Sequence, residues 1–400
     1  EKPTGKDLLQ RVLILRKFSK VVDLKMSTCQ VCASKDLKKV LHQESPCVTS
    51  IKTLVNTEMQ VYHCNFCNHV QVENSIDLAD FYDDAYDISL ESINHDQLHK
   101  NSKGQYVDRT KLQAKILAHN ISMKKNNLKV LEFGSGKGTT LQHLTKICDV
   151  DPYVFDVSKS YESYWDKWVP KANQSTYKLP KIWKNKFDMI CMHYVLEHVP
   201  DPVKILKDLS QYLNKNGVIY FCVPDFRQNM GDLFVVDHIN KFTSESLSEL
   251  ARVAGFEIQK KSTEELDNAY LCILRPGKKE VRRFKTKTES ILKTQNFIEN
   301  NKLTLTAISK KHYGDKFAVF GAGFYGTLLA SLKEKNVACF LDNNVHLQDK
   351  SLLGKPIYSP NNCPNEIETI VFAVNPGKLQ EIIDDNIKKI PPNKSLIGML

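Results

Sequence analysis

Val130-Leu-Glu-Phe-Gly-Ser-Gly-Lys-Gly138 sets three glycines at alternate positions behind two apolar residues and an acid. Thr139 and Thr140 follow, then Leu141, Leu144 and Ile147 at helical spacing. The pattern predicts a strand, a tight turn and a helix. Glycine reaches backbone angles closed to other residues and lets a ligand approach the main chain, while a helix N-terminus adds unpaired N–H groups and a positive dipole end. A second predicted strand, Tyr153 to Phe155, ends in Asp156. That is about 20 residues past the glycines, where a ribose-binding acid sits in dinucleotide folds.

Strand and helix patterns alternate from Leu128 to Leu274, which predicts an α/β fold with a doubly wound sheet. Phe187-Asp-Met-Ile-Cys-Met-His193 reads as its fourth strand, with Tyr194-Val-Leu-Glu-His-Val-Pro-Asp-Pro202 at the carboxyl end. Asp201 and Pro202 form an N-cap pair before a stripe of Val203, Leu206, Leu209 and Leu213 that Gly217 closes, and Val218 to Val223 is the fifth strand. A capped helix is expected from Ser244 to Ala254. Ligands in such sheets bind at the carboxyl ends of the strands, which places His193, Glu197 and His198 at a cofactor cleft.

Glu132-x-Gly134-x-Gly136-x-Gly138 lacks the dinucleotide glycine order and resembles motif I of the class I S-adenosylmethionine-dependent methyltransferases. Val195 to Pro202, followed by Gly217 to Pro224, is similar to the region after that motif in the same family. The resemblance implies a Rossmann-like methyltransferase domain binding S-adenosylmethionine through Glu132, Gly134, Gly136, Gly138, Asp156 and His193.

Upstream, Cys29-Gln-Val-Cys32 and Cys64-Asn-Phe-Cys67 present two thiolates each from a tight turn, separated by about thirty residues. Two such knuckles complete a tetrahedral zinc site with no position open to substrate, so the expected role is structural. His63 and His69 read as surface residues rather than ligands.

Lysine and arginine outnumber the acids to give a net charge of +10, which raises the question of a nucleic-acid partner. The lysines are scattered and the densest run, Lys278 to Lys287, falls in a linker, so a solvated surface is the better reading and nucleic acid is not the expected partner. No apolar stretch reaches membrane-spanning length. Eleven cysteines, mostly dispersed singly, suit a reducing, cytoplasmic setting rather than a disulfide framework. Residues 1–25 lack a small-residue cleavage site and read as a leader or extension.

The expected modules are a zinc-binding unit at 26–80, the methyltransferase domain with a preceding helical lid at 81–274, a polar helical linker at 275–312 and a smaller Rossmann-like domain at 313–400. The lid contains the acidic aromatic run Asp80 to Asp87. The last unit carries Gly321-x-Gly323-x-x-Gly326 after a strand, with Asp342 about twenty residues on.

This layout resembles the zinc-containing sugar C-methyltransferases, which methylate carbon 3 of nucleotide-linked 4-keto deoxysugars. In that family a Tyr-His-Glu-His string supplies the catalytic groups. Here Val235-Val-Asp-His238 stands in its place, so the resemblance implies His238 as base and Asp237 as orienting carboxylate, with His198 and Tyr86 supporting the cleft. It also implies that Gly321, Gly323 and Gly326 hold the diphosphate of a nucleotide sugar, the small-molecule substrate. The missing tyrosine and first histidine leave O- or N-methylation of another small molecule open, and beyond it a zinc-containing RNA methyltransferase or a non-catalytic binding module.

Overall fold

A computed structural model describes residues 27–73, 98–100, 106–120, 126–277 and 285–400. The expected lid around Asp80 to Asp87, Tyr86 included, and residues 1–25 lie outside the described residues.

The central domain is built on seven strands: Leu128–Phe133, Val150–Asp156, Gln174–Thr176, Phe187–His193, Leu213–Pro224, Phe256–Ser262 and Ala269–Pro276. Numbered in that order, they lie in the sheet as third, second, first, fourth, fifth, seventh and sixth. The first five run parallel, and the seventh is antiparallel to both its neighbours. Ile190, Cys191 and Met192 are consecutive and all fully buried, because helices cover both faces of the sheet. A doubly wound sheet whose last strand is reversed between the fifth and sixth is the class I methyltransferase arrangement.

Local chemistry sets the helix ends. Asp201 accepts the Lys204 N–H ahead of Pro202–Ser210, while Thr243 and Ser246 cap Ser244–Ala254 reciprocally and Gly255 ends it in a left-handed turn (φ 86°). Gly217 does not close a helix as its spacing suggested. It lies inside the fifth strand, where a Cβ would come within 2.6 Å of the Phe187 carbonyl oxygen.

The outer modules are joined to this domain rather than strung beside it. Leu37–Gln43, Met59–Cys64 and Val70–Glu73 form an antiparallel sheet whose fourth strand is Asn240–Lys241 of the central domain. Within the expected helical linker lies the helix Thr288–Lys310, which is packed rather than solvated, with Ile298 fully buried. Ile298 shares one core with Val61 and Val70 of the N-terminal sheet, Phe226 and Phe234 of the central domain and Leu328 of the C-terminal domain. That last domain is a six-stranded sheet, parallel except for the short hairpin Ser351–Leu352 with Lys355–Tyr358. His63 and His69, expected at the surface, are both fully buried and hydrogen-bonded, His63 to Asn68 and Gln295 and His69 to Asn240. Among the described residues, no helix is long and apolar enough to cross a membrane.

Candidate active site

The glycine turn sits at the carboxyl end of strand Leu128–Phe133. Gly134, Gly136 and Gly138 all take positive φ (72°, 50° and 72°), the left-handed region that side chains resist. A Cβ on Gly134 would stand 2.5 Å from Val195 Cγ2, and one on Gly138 would stand 2.9 Å from Trp168. The indole N–H of the buried Trp165 donates to the Gly136 carbonyl at 2.7 Å. The irregular tryptophan segment after Asp156 therefore serves to brace the turn.

Asp156 accepts the Gly136 and Ser158 N–H groups at 2.8 and 3.1 Å, and burial pushes its carboxyl up to about 6. One oxygen holds the glycine turn and the other holds Ser158, so any ribose contact uses their remaining lone pairs. Glu132 accepts the Leu141 N–H at 3.3 Å and lies 3.6 Å from His193 Nδ1. His193 is almost fully buried, and neither ring nitrogen nor the Ser135 hydroxyl has a hydrogen-bond partner. Orphaned polar atoms beside the glycine turn fit the amino-acid end of S-adenosylmethionine, which Glu132, Ser135 and His193 would hold.

From Val195, packed on Gly134, the chain makes the short turn Leu196–His198. It delivers Glu197 and His198 to the loop that carries His238, whose ring centroid lies 4.7 Å from that of His198. His238 Nδ1 bonds Asp232, which precedes it by six positions, and not Asp237 as the sequence suggested. The Asp237 carboxylate turns away to accept the Ser50 N–H and hydroxyl at 2.7 and 2.6 Å, while its carbonyl oxygen lies 3.0 Å from His198 Nδ1. Asp237 thus positions His198, and Asp232 positions His238.

Burial works against charge on both members of the Asp232–His238 pair, but their mutual attraction wins. Asp232, also facing Lys241, is held below the usual carboxylate range and His238 above the usual imidazole range. Burial and the neighbouring His238 push His198 down to about 4 against the pull of Asp237. Burial pushes the carboxyl of Glu197 up to about 8. The shifts therefore favour an Asp232–His238 ion pair beside a neutral imidazole and a neutral carboxyl.

The four knuckle cysteines come together as expected. Cys29 to Cys67 and Cys32 to Cys64 are each 3.6 Å between sulfurs, and all four sulfurs are buried within 4.8 Å of one another. Zinc–sulfur bonds of about 2.3 Å in a tetrahedron require sulfurs about 3.8 Å apart, so the cluster fits zinc.

In the C-terminal domain the Gly-x-Gly-x-x-Gly positions divide their work. Gly321 turns with φ 103° and Gly326 packs on its carbonyl, whereas a Cβ on Gly323 would meet nothing within 4 Å. Asp342 accepts the Ala322 and Asn344 N–H groups at 2.8 Å each, repeating the way Asp156 holds the first glycine turn. Tyr325 reaches the loop that carries Asp232 and His238: its hydroxyl donates to Asn229 at 2.6 Å and accepts the Gly231 N–H at 3.1 Å, next to Asp232. Asp232 and the internal burial of Glu197 were not anticipated. Met230-Gly-Asp-Leu-Phe234 has no motif, and only its folding into a turn brings its acid to His238.

Sheet order and the glycine turn after the first strand define a class I methyltransferase fold. Residues 105–261 match the family described as a methyltransferase domain, and the chain carries that enzyme domain. No curated protein matches the chain. Similar solved structures include an S-adenosylmethionine-dependent methyltransferase from Aquifex aeolicus, 17% identical, covering 42% of this chain and 91% of that one with a TM-score of 0.34. Another such enzyme, from Clostridium acetobutylicum, is 13% identical over 43% of this chain and 93% of its own, with a TM-score of 0.35. A third, from Leishmania major, is 16% identical over 42% and 72%, with a TM-score of 0.33.

Proposed function

We propose that the chain uses S-adenosylmethionine to methylate a carbon of a nucleotide-linked keto-deoxysugar, with His238 removing the proton beside the carbonyl. The observation that carries this reading is the Asp232–His238 pair beside the glycine cradle, at the carboxyl edge where ligands bind in such sheets. When bound, the cofactor supplies an electrophilic methyl group. Asp232 fixes the His238 tautomer, His198 and the neutral Glu197 offer donors near the developing oxyanion, and Gly323 leaves room for the carrier's diphosphate. The four cysteines would hold structural zinc.

A base must be unprotonated, and Asp232 favours the protonated form of His238. The rate at low substrate should therefore rise with pH through a midpoint above 6.5, the ordinary histidine value, and Asp232→Asn should move that limb down. The test is mass-spectrometric detection of methyl transfer to a panel of dTDP-, GDP-, CDP- and UDP-linked keto sugars. His238→Asn should lose about a hundredfold or more in turnover while binding S-adenosylhomocysteine normally. Full turnover in that variant, or transfer to RNA and to none of the sugars, would overturn the reading.

A further inference from the structure

Apart from the cysteines, one other group of ligand-type side chains converges among the described residues. Glu197, His198 and His238 each offer a donor atom, and these lie within 4.8 Å of one another. Glu197 is fully buried, yet neither carboxyl oxygen has a hydrogen-bond partner. Folded chains rarely leave such a group unsatisfied, and when they do the site calls for an occupant.

The two imidazoles are held from behind. His198 Nδ1 lies 3.0 Å from the Asp237 carbonyl oxygen, and His238 Nδ1 bonds the Asp232 carboxylate. A carbonyl only accepts, so His198 Nδ1 carries a proton in this contact. Histidines that bind metals show this arrangement, the outer nitrogen donating to a carbonyl or carboxylate while the inner one faces the ion. Donors about 2.1 Å from an ion stand about 3.4 Å apart in a tetrahedron, so the observed spacing closes by small side-chain rotations. The side chains of His198 and His238 are 11% and 12% exposed, which gives an ion a way in. Two imidazoles and a carboxylate suit divalent first-row transition metals, whereas magnesium and calcium prefer oxygen alone. Binding would displace the Glu197 proton to solvent, after which the charges of Glu197 and Asp232 balance that of the ion.

We propose that Glu197, His198 and His238 form a binding site for a divalent first-row transition-metal ion, separate from the cysteine cluster and supported by Asp237 and Asp232. The site shares His238 with the proposed methyl transfer, and only its consequence rests on that reading. An ion that takes the imidazole lone pair stops His238 from accepting a proton, so loading the site silences transfer.

The test titrates cobalt(II) into the full chain already saturated with zinc at its cysteines, following the visible spectrum. Bound cobalt should give d–d bands without sulfur-to-cobalt charge transfer. Glu197→Gln and His198→Gln should abolish the bands while still binding S-adenosylhomocysteine, and Asp232→Asn should weaken cobalt binding by about tenfold to a hundredfold. No uptake, or equal uptake in both ligand variants, would overturn the site and leave the proposed base untouched. Uptake with loss of methyl transfer supports both. Uptake with faster transfer keeps the site and removes His238 from the role of base.

Discussion

Glu197 makes the stability of this protein depend on pH in a direction opposite to most carboxylates. Its folded value, about 8, lies above the ordinary 4.5, so between those limits the folded chain keeps a proton that the unfolded chain releases. Stability then falls as pH rises through that window. Glu197→Gln, which is neutral everywhere, should therefore raise the melting temperature at pH 8 by the equivalent of a few kcal/mol and change nothing below about pH 4. Thermal melts of both proteins across pH, without added divalent ion, check this; a constant difference at every pH would show that the carboxyl is solvated. The same residue marks a limit of the sequence. Leu-Glu-His beside a predicted cleft placed Glu197 near the cofactor, but nothing in the string says that both its oxygens are orphaned. His238 and the three glycines were legible because their chemistry is tied to type and spacing. Asp232 was not, because its pairing with His238 depends on a turn without periodicity.

At the scale of elements, the two-residue strand Asn240–Lys241 couples the cysteine cluster to the candidate active site. It pairs with Val70 and Gln71, just beyond the second knuckle. The Asn240 amide accepts from His69 at 3.1 Å and donates to the carbonyls of Leu196 and Val199 at 3.1 and 2.7 Å, gripping the turn that holds Glu197 and His198. Cys67→Ser should therefore do more than weaken a metal site. We expect zinc content to fall, the melting temperature to drop, and turnover to fall by about tenfold or more, since misplacing catalytic groups by about an ångström has such effects. Cofactor affinity, measured by calorimetry, should change little because the glycine cradle is braced by Trp165 and Asp156 instead. An equal loss of cofactor binding would place the coupling elsewhere. Long strands and capped helices were readable from periodicity, whereas a strand this short exists only through its partner. The helix Thr288–Lys310 was readable as a helix but not as a packed one, since its buried contacts come from three modules distant in sequence.

For the whole molecule, Tyr325 of the C-terminal domain bears on the loop that carries Asp232 and His238, and this contact can be separated from the domain's proposed ligand site. Gly323 opens onto space where a Cβ would meet nothing within 4 Å, so Gly323→Asp should fold normally. Its added carboxylate would repel a diphosphate, raising the apparent KM for the nucleotide sugar while leaving S-adenosylhomocysteine binding intact. Tyr325 acts differently: its hydroxyl fixes Asn229 and Gly231, and Gly231 immediately precedes the acid that holds His238. Tyr325→Phe keeps the ring packing but removes the hydroxyl's bonds to Asn229 and Gly231, leaving the Gly231 N–H only its 3.3 Å bond to Asn229 Oδ1, a loss of about 0.5–1.5 kcal/mol of local order per bond. Turnover should fall with little change in KM, and the pH limb assigned to His238 should broaden or shift as Asp232 loosens. Steady-state kinetics of the two variants therefore divide the domain's two roles, KM for one and turnover for the other. If both variants behave as the parent does, the domain neither binds the acceptor nor steadies the loop. The acceptor would then have to be held by the central domain and the residues ahead of it.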